Sequence, residues 1–295
     1  MYGGVMVSAA DNVTFIALIL TYTAPLFDRK PLNRKSRLCT GSILSPDWVI
    51  TAAHCVMRND DPPVPKLSQI TLGFHRKYKT RASKIYIHPN YTHKGGADIA
   101  LLMTEARLPL GTESGLSALG LPAMKFAGSR KPCTIYGYGE KNSYDSLSVV
   151  TLSKITVSPM SANDCPKIFV YQMDPICYIA HGGVGPCMGD SGGPLLCSNE
   201  ILAGILSRGL FHTKCGRGHP LILYEDVYVF KAWIVNTIRP TEKMTRYFLA
   251  PTDAVASLRS NPGIVISVLI IFYVFPSFLV NNVCIESPSY RISGA

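Results

Sequence analysis

Eight short apolar and β-branched runs, Phe15–Leu20, Trp48–Thr51, Gln69–Leu72, Ile85–Ile87, Ile99–Met103, Thr134–Tyr138, Thr151–Val157 and Ile201–Leu206, are set apart by Gly, Pro and Asn. No helical pattern interleaves with them, so the chain can bury the faces of so many short strands only as an all-β sandwich or barrel. The pattern changes at Val227–Ile238, where apolar residues at 227, 230, 234 and 238 mark one face of a helix. Pro240 follows and ends it. With 295 residues the chain is long enough for one or two domains with a large core.

Beyond Pro240 the composition shifts. Residues 241–262 mix charges with Pro and Ser and read as a linker, and no charge then appears from Ser260 to Ile285. As a helix, residues 263–283 would cross a hydrocarbon layer of about 30 Å, with 284–295 as a short polar tail. A buried tail helix and a glycolipid-attachment signal are the alternatives. The strands are complete without this segment, and the polar end does not suit such a signal, so a membrane anchor is expected. Lys243, Arg246 and Arg259 on the outer side run against the positive-inside rule, a bias that a translocated domain can override.

The stretch Gly189-Asp190-Ser191-Gly192-Gly193-Pro194-Leu195 can present one hydroxyl beside converging backbone N–H groups. Serine is a weak nucleophile alone and needs a base, which itself needs orienting. Thr51-Ala52-Ala53-His54-Cys55 and Asp98-Ile99-Ala100-Leu101-Leu102 lie upstream. Taken singly, each segment has an ordinary structural reading; together, in the order His, Asp, Ser, they resemble the chymotrypsin-like serine proteases over roughly residues 1–240. The resemblance implies two six-stranded antiparallel β-barrels closed by a C-terminal helix, with His54 and Asp98 on the first barrel and Ser191 on the second. It implies a serine endopeptidase with His54, Asp98 and Ser191 catalytic and the amides of Gly189 and Ser191 as oxyanion hole. The rival is a silent homologue that binds partners through the same cleft.

The resemblance also pairs Cys39 with Cys55, Cys133 with Cys197, Cys165 with Cys177 and Cys187 with Cys215, leaving Cys284 alone. Spacing by itself would allow about 105 pairings of eight cysteines. A disulfide framework points to the secretory pathway and to an extracellular or cell-surface site, and the sequons at Asn12 and Asn90 agree with that. The net charge of +10 falls mostly before Pro240 and is either a solvated face or an attraction for acidic partners. No nucleic-acid module is recognisable. The loop from Leu72 to Lys79 carries no carboxylate for calcium, and no metal or cofactor is expected. The expected partners are a protein or peptide substrate, a protein inhibitor, and a membrane through the tail.

Specificity is read from the substrate-binding positions Gly185, Ser207, Arg208, Gly209 and Ile222. Tryptic relatives carry Asp six residues before the nucleophile, where this chain has Gly185, so no counter-charge awaits Lys or Arg. Leu206-Ser207-Arg208-Gly209 resembles the family's pocket wall with Arg208 in place of Trp. Either Ile222 shortens the pocket, favouring small or medium apolar side chains, or it packs within the barrel; Arg208 is either a cleft cation or a solvated surface group. Met1-Tyr2-Gly3-Gly4-Val5 resembles the family's mature start. That implies an ion pair between the amine of Met1 and Asp190, unless the Gly pair is a chance match.

Overall fold

The computed structural model describes residues 1–22, 36–57, 70–74, 78–93, 96–126, 129, 131–141, 150–161, 163–165, 175–180, 183–198, 200–210, 215 and 221–238. The chain divides into two units, Met1–Ala250 and Pro251–Ala295. The second unit, with the linker, the expected span 263–283 and Cys284, lies outside the described residues. Among the described residues no helix is long and apolar enough to cross a membrane.

Six strands make a closed antiparallel barrel: β2 (Ile16–Tyr22), β3 (Ser36–Ser45), β4 (Trp48–Thr51), β5 (Ile70–Phe74), β6 (Tyr78–Ile87) and β7 (Ala100–Thr104), in the order β2-β3-β4-β7-β6-β5. Closure comes from β2 pairing with β5, Ala17 opposite Phe74 through Thr21 opposite Ile70, and leaves no unpaired edge. β5 alternates buried and half-buried residues, with Ile70, Leu72 and Phe74 inward, as the two-residue period of a strand requires. All four residues of β4 are buried. In this register Ile19, Ile43, Val49, Leu72 and Leu102 share one face of the sheet, and all five are buried in one core.

The second half forms a curled antiparallel sheet in the order β1-β9-β8-β11-β12-β13-β10. Its strands are β8 (Cys133–Gly137), β9 (Ser153–Val157), β10 (Ile176–Ile179), β11 (Pro194–Leu196), β12 (Leu202–Leu210) and β13 (Leu221–Asp226), with the two-residue β1 (Val5–Met6) at one edge. β1, β10, β11 and β13 are strands that the apolar runs do not mark. Helix α1 spans Val227–Ile238 and buries Val227, Phe230, Ile234 and Ile238, the face read from the sequence. Asp226 starts it, Oδ1 accepting the Tyr228 N–H at 3.0 Å while Oδ2 accepts that of Phe126 at 2.8 Å; such a cap is worth about 1 kcal/mol. The buried face of α1 joins the core of the first barrel, and His88, just after β6, meets Phe230 and Trp233 edge-on at 5.1 Å each. Burying Phe230 contributes about 1.5–3 kcal/mol to this clasp.

All four implied disulfides are present: Cys39–Cys55, Cys133–Cys197, Cys165–Cys177 and Cys187–Cys215. The first ties β3 to the turn that carries His54.

Candidate active site

His54 sits in a single 3-10 turn, Ala53–Cys55, directly after β4, and its side chain is 31% exposed against 1% for Asp98. Nδ1 of His54 lies 2.7 Å from Asp98 Oδ2, and the His54 backbone N–H donates to Oδ1 at 2.9 Å. The Ser207 hydroxyl adds a third bond to the carboxylate, to Oδ2 at 2.7 Å. Burial pushes the Asp98 pKa up, but the His54 charge and these donors outweigh it and hold the carboxyl below its ordinary value. An ionised Asp98 in this setting fixes the imidazole with Nδ1 as donor and Nε2 free to take a proton.

Ser207 reaches Asp98 because β12 is bulged. Leu206 pairs with Tyr224 and Arg208 with Leu223, so Ser207 falls in the register shift, and a bulge re-aims a side chain that strict alternation would direct elsewhere. Arg208 Nε donates in turn to the Ser207 hydroxyl at 3.2 Å. On the other side of the histidine, Arg37 Nη1 donates to the His54 carbonyl at 2.7 Å.

The Ser191 loop is held against β3 by Thr40, whose N–H donates to the Ser191 carbonyl at 2.8 Å and whose hydroxyl donates to the Gly189 carbonyl at 2.9 Å. Gly189 has φ +99, and a Cβ there would lie 2.7 Å from Leu38 Cδ2, so both conformation and space demand glycine. Within the loop the N–H groups of Asp190, Gly192 and Gly193 donate to Cys187, Leu206 and Asp190 carbonyls. Among the described residues the N–H groups of Gly189 and Ser191 donate to no backbone carbonyl. Nor is there a hydrogen bond between His54 Nε2 and the Ser191 hydroxyl among the described residues, a bond that commonly tightens only with substrate bound.

Asp190 is buried. Its Oδ2 lies 3.0 Å from the Met1 amine, both 1% exposed, and accepts the Cys187 N–H at 2.8 Å; Oδ1 accepts the Gly139 N–H at 2.7 Å. The Met1 ammonium also donates to the carbonyls of Gly139 and Glu140. Burial pushes the Asp190 carboxyl up and the Met1 amine down, while each partner's charge opposes the shift of the other. A Cβ on Gly139 would come 2.5 Å from Asp190 Oδ2, so the carboxylate needs that glycine.

Of the specificity positions, Gly185 exchanges two backbone hydrogen bonds with Tyr2 at 2.9 and 3.0 Å, and any Cβ added to it would lie 2.9 Å from the Ala180 Cβ. Gly209 stands opposite Ile222 in the β12–β13 register. Ile222 is fully buried in a cluster with Met1, Tyr178, Ala180, Leu206 and Tyr224, which agrees with packing in the second sheet. Arg208 is half-buried beside Ser207. Cys39, Cys55 and His54 cluster closely, but both cysteines are in a disulfide and offer no thiolate to a metal.

The sequence did not single out Arg37, Thr40, Gly139 or Glu225. Thr40 had one pointer: it follows Cys39, whose implied pairing with Cys55 places its strand beside His54. Glu225 has none, since it ends an apolar strand and only the fold brings its carboxylate to the Asp98 amide, 3.1 Å from Oε1.

Residues 22–234 match the family model described as Trypsin. The chain is 32% identical over 207 residues to human kallikrein-7, covering 68% of this chain and 78% of the relative. It is 31% identical over 214 residues to rat trypsin-4, covering 69% and 81%. Among solved structures, mouse neuropsin, a serine protease, superposes with a TM-score of 0.62 at 22% identity, covering 81% of this chain and 100% of that one. The HL collagenase gives 0.64 at 21% identity, covering 82% and 100%. At those identities the structural likenesses bear on the fold alone.

Proposed function

The chain belongs to the trypsin family and is a serine endopeptidase, and from that premise we propose that His54, Asp98 and Ser191 carry the reaction. His54 Nε2 takes the Ser191 hydroxyl proton as Oγ bonds to the peptide carbonyl carbon. The resulting oxyanion is held by the N–H groups of Gly189 and Ser191, each worth about 3 kcal/mol. Collapse breaks the C–N bond, and His54 gives the proton to the leaving amine. Water, deprotonated by the same histidine, then cleaves the acyl ester. The observation that carries this reading is the buried Asp98 carboxylate aimed at His54 Nδ1 with two further donors on it. Labelling by a serine-directed phosphonate tests it: modification of Ser191 is expected, and a purified protein that resists labelling while it remains folded refutes it.

For substrate preference we propose small or medium apolar residues at the cleaved bond, supported by Gly185 without a counter-charge and by the bulk of Ile222 opposite Gly209 in the β12–β13 register. Arg208 adds a mild preference for acidic residues upstream, which salt weakens. The Met1–Asp190 pair is proposed as the activation switch that orders the oxyanion loop. Residues 263–283 are proposed to anchor the protein at a membrane in the secretory pathway, supported by their uncharged length. The reading as a silent binding homologue draws on the same buried Ile222, and phosphonate labelling separates the two.

A further inference from the structure

Glu225, at the end of β13, is completely buried, and its carboxylate meets the catalytic region from behind. Oε1 accepts the backbone N–H of Asp98 at 3.1 Å. Oε2 is buried and has no hydrogen-bond partner among the described residues. Asp98 comes from the segment before β7 in the first barrel and Glu225 from the second sheet, so this bond crosses between them. The groups facing Glu225 are Asp98 and, from β12, Arg208. Asp226, beside it on β13, turns to the amides of Phe126 and Tyr228.

Two carboxyl groups thus share one dry region, and their hydrogen bonds are unequal. Asp98 receives the His54 N–H, the His54 ring and the Ser207 hydroxyl, whereas Glu225 receives one amide. A proton shared between such groups settles on the less well solvated one, because an unpartnered neutral oxygen costs far less than an unpartnered anionic one. Building on the triad reading above, we propose that Glu225 is a positioning residue that fixes the main chain of Asp98 from the second sheet, and that it does so as a neutral acid. Burial raises the Glu225 pKa from 4.5 to about 7, the Asp98 charge adding to the rise while the Asp98 amide and Arg208 reduce it. Once Glu225 loses its proton, a second negative charge stands behind Asp98 and repels it from the register in which both its oxygens meet His54. Turnover therefore falls as Glu225 ionises.

The test uses the full chain and two readouts. In infrared spectra, the native protein at pH 6 is expected to show the carbonyl band of a buried carboxylic acid, absent in Glu225→Gln and fading in the native protein as pH rises past 7. In kcat against pH with a peptide substrate, the native protein is expected to show a falling inflection near pH 7 that Glu225→Gln lacks, since Gln keeps the acceptor and cannot ionise. The Met1–Asp190 pair titrates in both proteins, so the difference between the two profiles isolates Glu225. Glu225→Leu, which removes the acceptor, should lower kcat by up to about 10²-fold with little change in KM, as a misplaced catalytic group does. Superimposable infrared spectra of native protein and Glu225→Gln overturn the proposal, and so do superimposable pH profiles of two active proteins. A native protein that shows the band but hydrolyses nothing overturns the triad reading instead, and supports the neutral acid at Glu225.

Discussion

Replacing Asp190 with Asn keeps the volume of the side chain and removes its charge. The Met1 ammonium, 3.0 Å away and 1% exposed, is then left buried with only the Gly139 and Glu140 carbonyls as acceptors. Two backbone donors, the N–H groups of Gly139 and Cys187, still point at the site, and Asn offers one acceptor oxygen where Asp offered two. Removing one partner of a buried ion pair costs about 3–5 kcal/mol, and each step of about 1.4 kcal/mol is a tenfold change in population. The retained carbonyl contacts place the loss at the lower end, about 10²-fold in the fraction of molecules with an ordered Gly189–Ser191 loop. That loss should appear in kcat/KM for a peptide substrate and equally in the rate of phosphonate labelling, because both need the oxyanion amides. Denaturant unfolding, monitored in parallel, should still show a cooperative transition, since the first barrel and α1 do not depend on the pair. An Asp190→Asn protein with kcat/KM within about threefold of the native value would refute the switch and show that the loop amides converge without it.

Ser191→Ala should reduce turnover by about 10³-fold or more while leaving the fold intact, since triad members act as a unit; unchanged activity in the purified variant ends the endopeptidase mechanism. Profiling with a peptide library should give cleavage after small or medium apolar residues, and a dominant preference for Lys or Arg would exclude the roles given to Gly185 and Ile222. Full-length protein should stay with membranes in alkaline carbonate; release into the supernatant rules out an anchor at 263–283. Glu225 should also leave a mark on stability: its folded pKa of about 7 lies above the ordinary 4.5, so the native state holds the proton that the unfolded chain releases first. Its contribution is then most favourable below about pH 4.5 and declines by about 3 kcal/mol as pH rises to 7. Urea unfolding at several pH values should show this decline in the native protein and a flatter curve in Glu225→Gln, and parallel curves would contradict it.

The segments around His54, Asp98 and Ser191 and helix α1 stand out in the sequence because they are local: Gly189 through Leu195 is a contiguous loop, and residues 227, 230, 234 and 238 follow a single helical period. Strand β3, Ser36–Ser45, was not. Its Ser, Arg, Cys and Thr residues break the apolar alternation, and the barrel nevertheless buries Thr40 and Ser42 because their neighbours in β2 and β4 demand the backbone hydrogen bonds. β13 escaped for the opposite reason. All of Leu221-Ile222-Leu223 is apolar, with Ile222 open to reading as pocket lining or as barrel packing, and only pairing with both β12 and β10 marks a central strand. Arg37 and Glu225 are the plainest cases of what local pattern does not hold: one bonds to the His54 carbonyl and the other to the Asp98 amide only after two distant parts of the chain have folded together.

The amide of Asp98 donates to a side chain of the opposite half of the molecule rather than to a neighbouring strand. Amides inside β7 exchange their hydrogen for deuterium only when the first barrel itself opens. The Asp98 amide becomes exchangeable as soon as the two halves separate, even with every strand pair of the first barrel kept. Its exchange rate, set beside that of Leu101 or Leu102 in the interior of β7, is therefore a built-in gauge of how often the first barrel and the second sheet part along their seam. A cleft ligand that braces the halves should slow exchange at Asp98 and leave the β7 interior unchanged.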